Sequence, residues 1–168
     1  VIFMGNTAIR SYVPLYASES MGMSTLEIGM LFSLASASGF LATPVFGWFS
    51  DRIGRRPVVL AGFLLSAVML FSIFFARTPI YLTLALIGLE TCFLPMTPLL
   101  LAMLSEVTPQ TMLGTAMGIY STFENLGTVI APPIYTAIWT GYAPSAIFPF
   151  SALIQLLGIL LVFPVKKS

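Results

Sequence analysis

Charged positions cut this chain into long apolar runs. Ile28 to Ser50 carries no charge and neither does Pro57 to Ala76. Each run is close to the ~20 residues a helix needs to cross ~30 Å of hydrocarbon. Asn125 to Val165 is also uncharged, but it is about twice the length of one span. Turn chemistry at Thr140-Gly141-Tyr142-Ala143-Pro144 divides it. At the start, Ile2 to Ala17 is apolar except for Asn6 and Arg10, and Ile80 to Leu104 supplies one more run. The pattern predicts six helical spans, at about 1–17, 26–50, 57–76, 80–104, 112–139 and 145–165. It predicts an all-α, polytopic membrane protein whose first partner is the lipid bilayer.

Composition narrows the choice of class. Hydrophobic residues make up 58% of the chain and charged residues 8%, which leaves too little polar surface to cover a soluble domain of this size. The cations are dispersed, so nucleic acid is not expected as a partner. Histidine is absent and Cys92 stands alone in an apolar run, so neither a metal site nor a disulfide is expected, and no cofactor is implied. An enzyme would need a nucleophile with a base, or a metal cluster. The membrane carboxylates are only two and sit on different spans, so an enzyme is not expected. A channel subunit would need a re-entrant filter or a polar ring, and no connection between spans is long enough to re-enter.

With a cytoplasmic N-terminus, the loops on that side hold Arg52, Arg55, Arg56, Lys166 and Lys167, against Arg77 alone on the other. This bias predicts a cell-membrane protein with both termini in the cytoplasm. Trp48 and Trp139 fall at span ends, where indole rings favour the interface. The first segment lacks the charged start and small-residue cleavage site of a secretory signal. The chain also lacks an initiator methionine, and it reads as beginning partway into its first helix.

The sharpest motif is GWFSDRIGRR, residues 47–56, in the hairpin between the second and third spans. Gly47, Asp51, Arg52, Gly54, Arg55 and Arg56 resemble the G-x-x-x-D-R-x-G-R-R loop signature of the major facilitator superfamily of secondary transporters. A bland cytoplasmic loop would also use a glycine and some arginines, but not at this spacing. In the fifth span, Gly118, Gly127 and Ala131-Pro132-Pro133 resemble, in degraded form, the glycine-proline signature of proton-coupled antiporters. Ala131 stands where glycine is usual, and Tyr135-Thr136 replace the final glycine pair. A proline-kinked helix with small packing residues is an equal reading of that stretch.

The resemblance implies one half of a twelve-helix transporter built from two parallel six-helix repeats, the other half being a partner. Leu84 stands four residues before Gly88, where N-terminal halves of the efflux branch usually carry arginine. The ending Val165-Lys166-Lys167-Ser168 comes directly after a span. Both favour the C-terminal half over the N-terminal one. The resemblance further implies that Asp51, Arg55 and Glu106 latch the cytoplasmic side, and that Pro95 and Pro98 in the fourth span and Pro132 and Pro133 in the fifth supply bends. Helices one, two, four and five would line the cavity, with three and six facing lipid.

Charges at bilayer depth are costly and therefore candidates for function. There are three, Arg10, Glu90 and Glu124, with Asn6 one turn from Arg10 and Asn125 beside Glu124. By helical rise, both glutamates fall near the midplane, and Arg10 about 10 Å from the outer end of its span. A carboxylate there can take up and release a proton as access alternates, whereas an Arg10–Glu90 pair, or hydrogen bonds from Glu124 with Asn125 across a helix interface, could equally hold helices together. The expectation is proton-coupled efflux of small amphipathic molecules, with Met21, Met23, Phe93, Met96 and Phe123 giving an apolar pocket. Uptake of a polar solute such as a sugar is the alternative within carriers.

Overall fold

A computed structural model describes residues 2–141 and 144–162, with side-chain surroundings for residue 7 and for residues 9–159 among these. Among the described residues every regular element is helical. The helices are α1 (Ile2–Met21), α2 (Thr25–Ile53), α3 (Arg55–Ser72), α4 (Pro79–Phe93), α5 (Met96–Val107), α6 (Leu113–Gly141) and α7 (Ile147–Val162). Short 3₁₀ turns at Ile73–Phe75, Gln110–Met112 and Pro144–Ala146 join some of them.

Local chemistry sets the boundaries. Ser24 and Glu27 form a reciprocal capping box at the start of α2, which satisfies amide donors that have no partner within the helix. Thr78 accepts the amide of Tyr81 and Pro79 occupies the first turn of α4. Gly54 closes α2 and opens α3 at φ +100°, a backbone region glycine enters without a Cβ penalty. The α2–α3 joint is therefore a single residue long.

Among the described residues three stretches are long and apolar enough to cross a bilayer on their own: Thr25–Ile53, Arg55–Phe75 and Pro79–Val107. In α1 and α6 the residues Arg10, Glu19, Glu124 and Asn125 dilute the apolar character, and the last apolar stretch, Pro144–Ile159, is shorter.

Two boundaries differ from the sequence expectation. The first helix continues to Met21 instead of ending near residue 17, which places Arg10 roughly 16 Å from its C-terminal end and so near mid-helix. The fourth span is two helices, because Pro95 cannot donate to Thr91 and Pro98 cannot donate to Leu94. By contrast α6 runs unbroken through Pro132 and Pro133.

The core lies where α3 and α4 meet α1, α2 and α7, filled by Ile9, Val13, Phe63, Leu70, Leu82, Leu86, Leu89 and Phe148. Two close approaches fix it. Gly39 of α2 presses on the Glu90 carbonyl of α4, where a built Cβ would lie 2.7 Å from that oxygen. Gly62 of α3 likewise receives the Met96 side chain at the start of α5. Small residues at such crossings let backbones come together where no hydrophobic effect drives them. Polar seams reinforce the packing. Ser38 donates to the Ile87 carbonyl (3.2 Å) and Thr91 to Ser38 (3.0 Å), while buried Gln155 of α7 donates to the Phe63 carbonyl and to Ser66 of α3.

Candidate functional site

The apolar periodicity of these spans is interrupted at similar depth on three of them. Glu90 lies roughly 16 Å from the start of α4, and Glu124 roughly 16 Å from the start of α6. With Arg10 they mark a common level. The structure places them around two cavities. The larger, about 700 Å³, is lined by Thr7, Arg10 and Ser11 of α1, Phe40 and Thr43 of α2, Phe93, Leu94, Thr97 and Pro98 around the α4–α5 break, and Glu124 and Thr128 of α6. The smaller, about 300 Å³, is lined by Arg10, Pro14, Phe32, Ser36 and Glu90. Arg10 belongs to both.

The two carboxylates are thereby separated, and each shares a cavity with Arg10. Glu90 is 5% exposed, buried beneath α2 by the Gly39 contact to its own carbonyl. Glu124 is half-buried, one helical turn beyond Tyr120. Asn125 is exposed and donates to the Ser121 carbonyl of its own helix (2.8 Å), not across a helix interface. Thr43 and Thr128 also donate within their helices, to Gly39 and Asn125. Asn6 lies in α1, but its side chain is outside the described residues, as are Lys166 and Lys167.

The expected apolar pocket is not a unit. Phe93 lines the larger cavity, but Met96 is fully buried against α3, and Met21 and Met23 pack on the core around the α1–α2 connection. Phe123 is 70% exposed on α6. These residues lie on different elements: Met21 ends α1 and Met23 follows it, Met96 begins α5 facing Gly62, and Phe123 is on α6.

At the α2–α3 joint, Arg55 Nη2 sits 3.3 Å from Glu106 Oε1, joining the start of α3 to the end of α5. Arg52 stacks its guanidinium 4.0 Å above the Trp48 ring. Asp51 is exposed, with no side-chain hydrogen bond or ion pair to other described residues. Gly47 has open space where a Cβ would stand, so nothing among the described residues requires glycine there. Gly118 is equally open, whereas Gly127 is buried. Tyr12 ties the proline region of α6 to α1, donating to the Pro132 carbonyl (3.0 Å), meeting the Thr136 hydroxyl (2.8 Å) and packing on Tyr135 and Trp139. These contacts join α1 to the C-terminal flank of the proline pair; the carbonyls that Pro132 and Pro133 leave without a helical donor are those of Thr128 and Val129.

Sequence reasoning missed Ser38, Gly39, Thr91 and Tyr12, as well as the hydroxyl lining of the larger cavity. The small-residue run Ala35-Ser36-Ala37-Ser38-Gly39 was the available signal for the α2–α4 seam. Among the described residues no group of three or more potential metal ligands occurs.

The family profile described as Major Facilitator Superfamily matches residues 1–168. The chain belongs to the major facilitator superfamily. Its members here are transporters, not enzymes. The chain is 29% identical over 140 residues to the probable nitrate/nitrite transporter NarK2 of Mycobacterium tuberculosis, covering 83% of this chain and 35% of that protein. It is 25% identical over 158 residues to the probable galactarate/D-glucarate transporter GarP of Escherichia coli, covering 88% and 34%. It is 24% identical over 163 residues to the multidrug resistance protein MdtG of Escherichia fergusonii, covering 95% and 40%. The chain thus spans about a third of the length of the curated relatives it matches. Its all-helical fold is a portion of the larger superfamily fold, in a multi-pass membrane protein.

Proposed function

We propose that this superfamily chain forms one half of a secondary active transporter working by alternating access, with the cavity around Arg10 as its substrate site and a proton as coupling ion. The observation that carries this is the meeting of α1, α2, the α4–α5 break and α6 around one 700 Å³ cavity with Arg10 and Glu124 in its wall. Phe40, Phe93, Leu94 and Pro98 give it an apolar side and the hydroxyls a polar one, which suits a small amphipathic solute. Efflux is the direction assigned, in keeping with the multidrug relative MdtG. Arg10 favours a second reading, uptake of a polar solute, in keeping with relatives named for nitrate/nitrite and galactarate/D-glucarate.

The other six-helix half would sit against α2 and α6, whose outward faces carry Leu34, Phe40, Leu41, Phe123 and Val129 in exposed positions. Arg55 and Glu106 would act as the cytoplasmic latch, with both chain ends on that side. The test is gradient-driven flux in proteoliposomes holding the intact protein. Saturable flux driven by a pH gradient is expected, lost or uncoupled in Glu90→Gln or Glu124→Gln. Full coupling in both variants rules out the proton role, and ohmic conductance would make the protein a channel.

A further inference from the structure

The end of the bundle where α1 stops and α4 starts holds another pocket, about 260 Å³, that shares no lining residue with the two around Arg10. It lies between the last turn of α1, the Ala76-Arg77 link ahead of α4 and the 3₁₀ turn ahead of α7. Its inner wall is fastened in place. The Tyr16 hydroxyl donates to the Ala76 carbonyl (3.0 Å), and the Tyr16 ring meets Phe148 of α7 edge-on, 5.4 Å between centroids. Three segments far apart in sequence are thereby held together, and Arg77 directly follows the residue that Tyr16 bonds. The open polar groups around the pocket are donors. Arg77, Ser20 and Ser145 line it, and none of these side chains has an ion pair or hydrogen bond to another described residue. Glu19, beside Ser20 in sequence, is not part of the wall, so no carboxylate faces the guanidinium there.

We propose that this pocket binds a phosphate group, that of an anionic phospholipid whose tails run along α3. A guanidinium is a planar fork that takes two oxygens of a phosphate, and the two serine hydroxyls can donate to the others. The pocket is smaller than the ~300 Å³ at which small-molecule sites begin, so it admits a head group, and the rest of the ligand must lie outside. Apolar surface for that remainder is close by. Leu64, Val68, Phe71 and Phe75 are exposed at spacings of four, three and four along α3 and the turn after it, one stripe of a helix surface. The stripe ends two residues before Arg77, at the level where a long cationic side chain keeps its stem on apolar surface and its head among polar groups. A phosphate with tails uses both the donors and the stripe, whereas a free phosphate uses the donors alone. The site is separate from the transport cavity and stands without it.

The test uses the intact protein in detergent micelles and phosphatidylglycerol carrying a photoreactive diazirine on one acyl chain. Diacylglycerol with the same label supplies tails without phosphate, and inorganic phosphate and glycerol 3-phosphate supply phosphate without tails. Native mass spectrometry should show phosphatidylglycerol retained in the presence of excess glycerol 3-phosphate, and its photo-crosslinks should fall within residues 64–77. Affinity should drop about tenfold in Arg77→Gln, the size of a lost charge-assisted pair, with part of it kept in Arg77→Lys. Ser20→Ala combined with Ser145→Ala should weaken binding by a smaller factor. Thermal unfolding of each variant separates misfolding from lost binding, and if Arg77→Gln does not fold, the double serine variant and the crosslink positions still decide. Unchanged affinity in a folded Arg77→Gln protein, equal binding of diacylglycerol, or crosslinks confined to other helices overturns the proposal. Displacement of the lipid by inorganic phosphate at similar affinity also overturns it, because the site would then serve a soluble anion.

Discussion

Gly39 shows how much rests on the absence of one methyl group. Its hydrogen faces the Glu90 carbonyl and the Leu94 side chain, where a Cβ would lie 2.7 and 3.0 Å away. Gly39→Val should force α2 off α4, destabilising the fold by about 1–3 kcal/mol, and Gly39→Ala by less. Denaturation in micelles would read both, and equal, negligible effects would mean that the seam has slack. The Arg55–Glu106 pair is a different kind of contact. Both side chains are partly exposed, Glu106 by more than half, and such pairs contribute about 0–1 kcal/mol. Arg55→Gln should therefore leave stability nearly unchanged while raising cytoplasmic access to a cysteine introduced at Thr97, measured by maleimide labelling. A large stability loss with unchanged labelling would make the pair structural. The residues of the loop motif were legible because glycine, arginine and acid at that spacing have few other uses. Gly39 was not, because a glycine among serines and alanines gives no hint of which one meets a neighbouring backbone.

The broken fourth span is the main lesson at the scale of elements. Two prolines read from the sequence predict a bend; the structure interrupts the helix at Leu94 and Pro95, whose backbones stay in the α region, with α4 held by α2 through Ser38 and Gly39 and α5 held by α3 through Met96. The paired prolines of α6 leave that helix continuous, with Tyr12 bonded at the kink. Chain-local chemistry is similar in the two cases, and the neighbours decide the outcome. Pro95→Ala restores a donor for the Thr91 carbonyl and favours one straight helix across residues 79–107. Spin labels at positions 80 and 106 should then move apart, and Met96 should lose its fit against Gly62. An unchanged distance distribution would assign the break to tertiary packing alone. Helix identity was readable from charge spacing and length, while the grouping of Met21, Met23, Met96 and Phe123 in one pocket failed because they lie on different elements, whose facing sides no single segment records.

For the whole molecule, the proposed topology makes a direct labelling prediction. With Cys92 replaced by alanine, a cysteine at Ser20 should react with impermeant reagent from outside the cell and one at Ile53 only after the membrane is opened; the reverse would invert the chain in the bilayer. The arrangement of spans around a cavity could not be read from any single segment, because it depends on which faces α1, α2, α4, α5 and α6 turn toward one another. The one-residue joint at Gly54 bears on how the protein can be altered. Two long helices meet there without slack, at a backbone angle suited to glycine. A reporter or epitope spliced at this joint should abolish folding, whereas the extended Thr108–Pro109 connection after α5 should accept the same graft. Of the two cytoplasmic links proposed here, the one richest in recognisable sequence is thus the poorer place to cut.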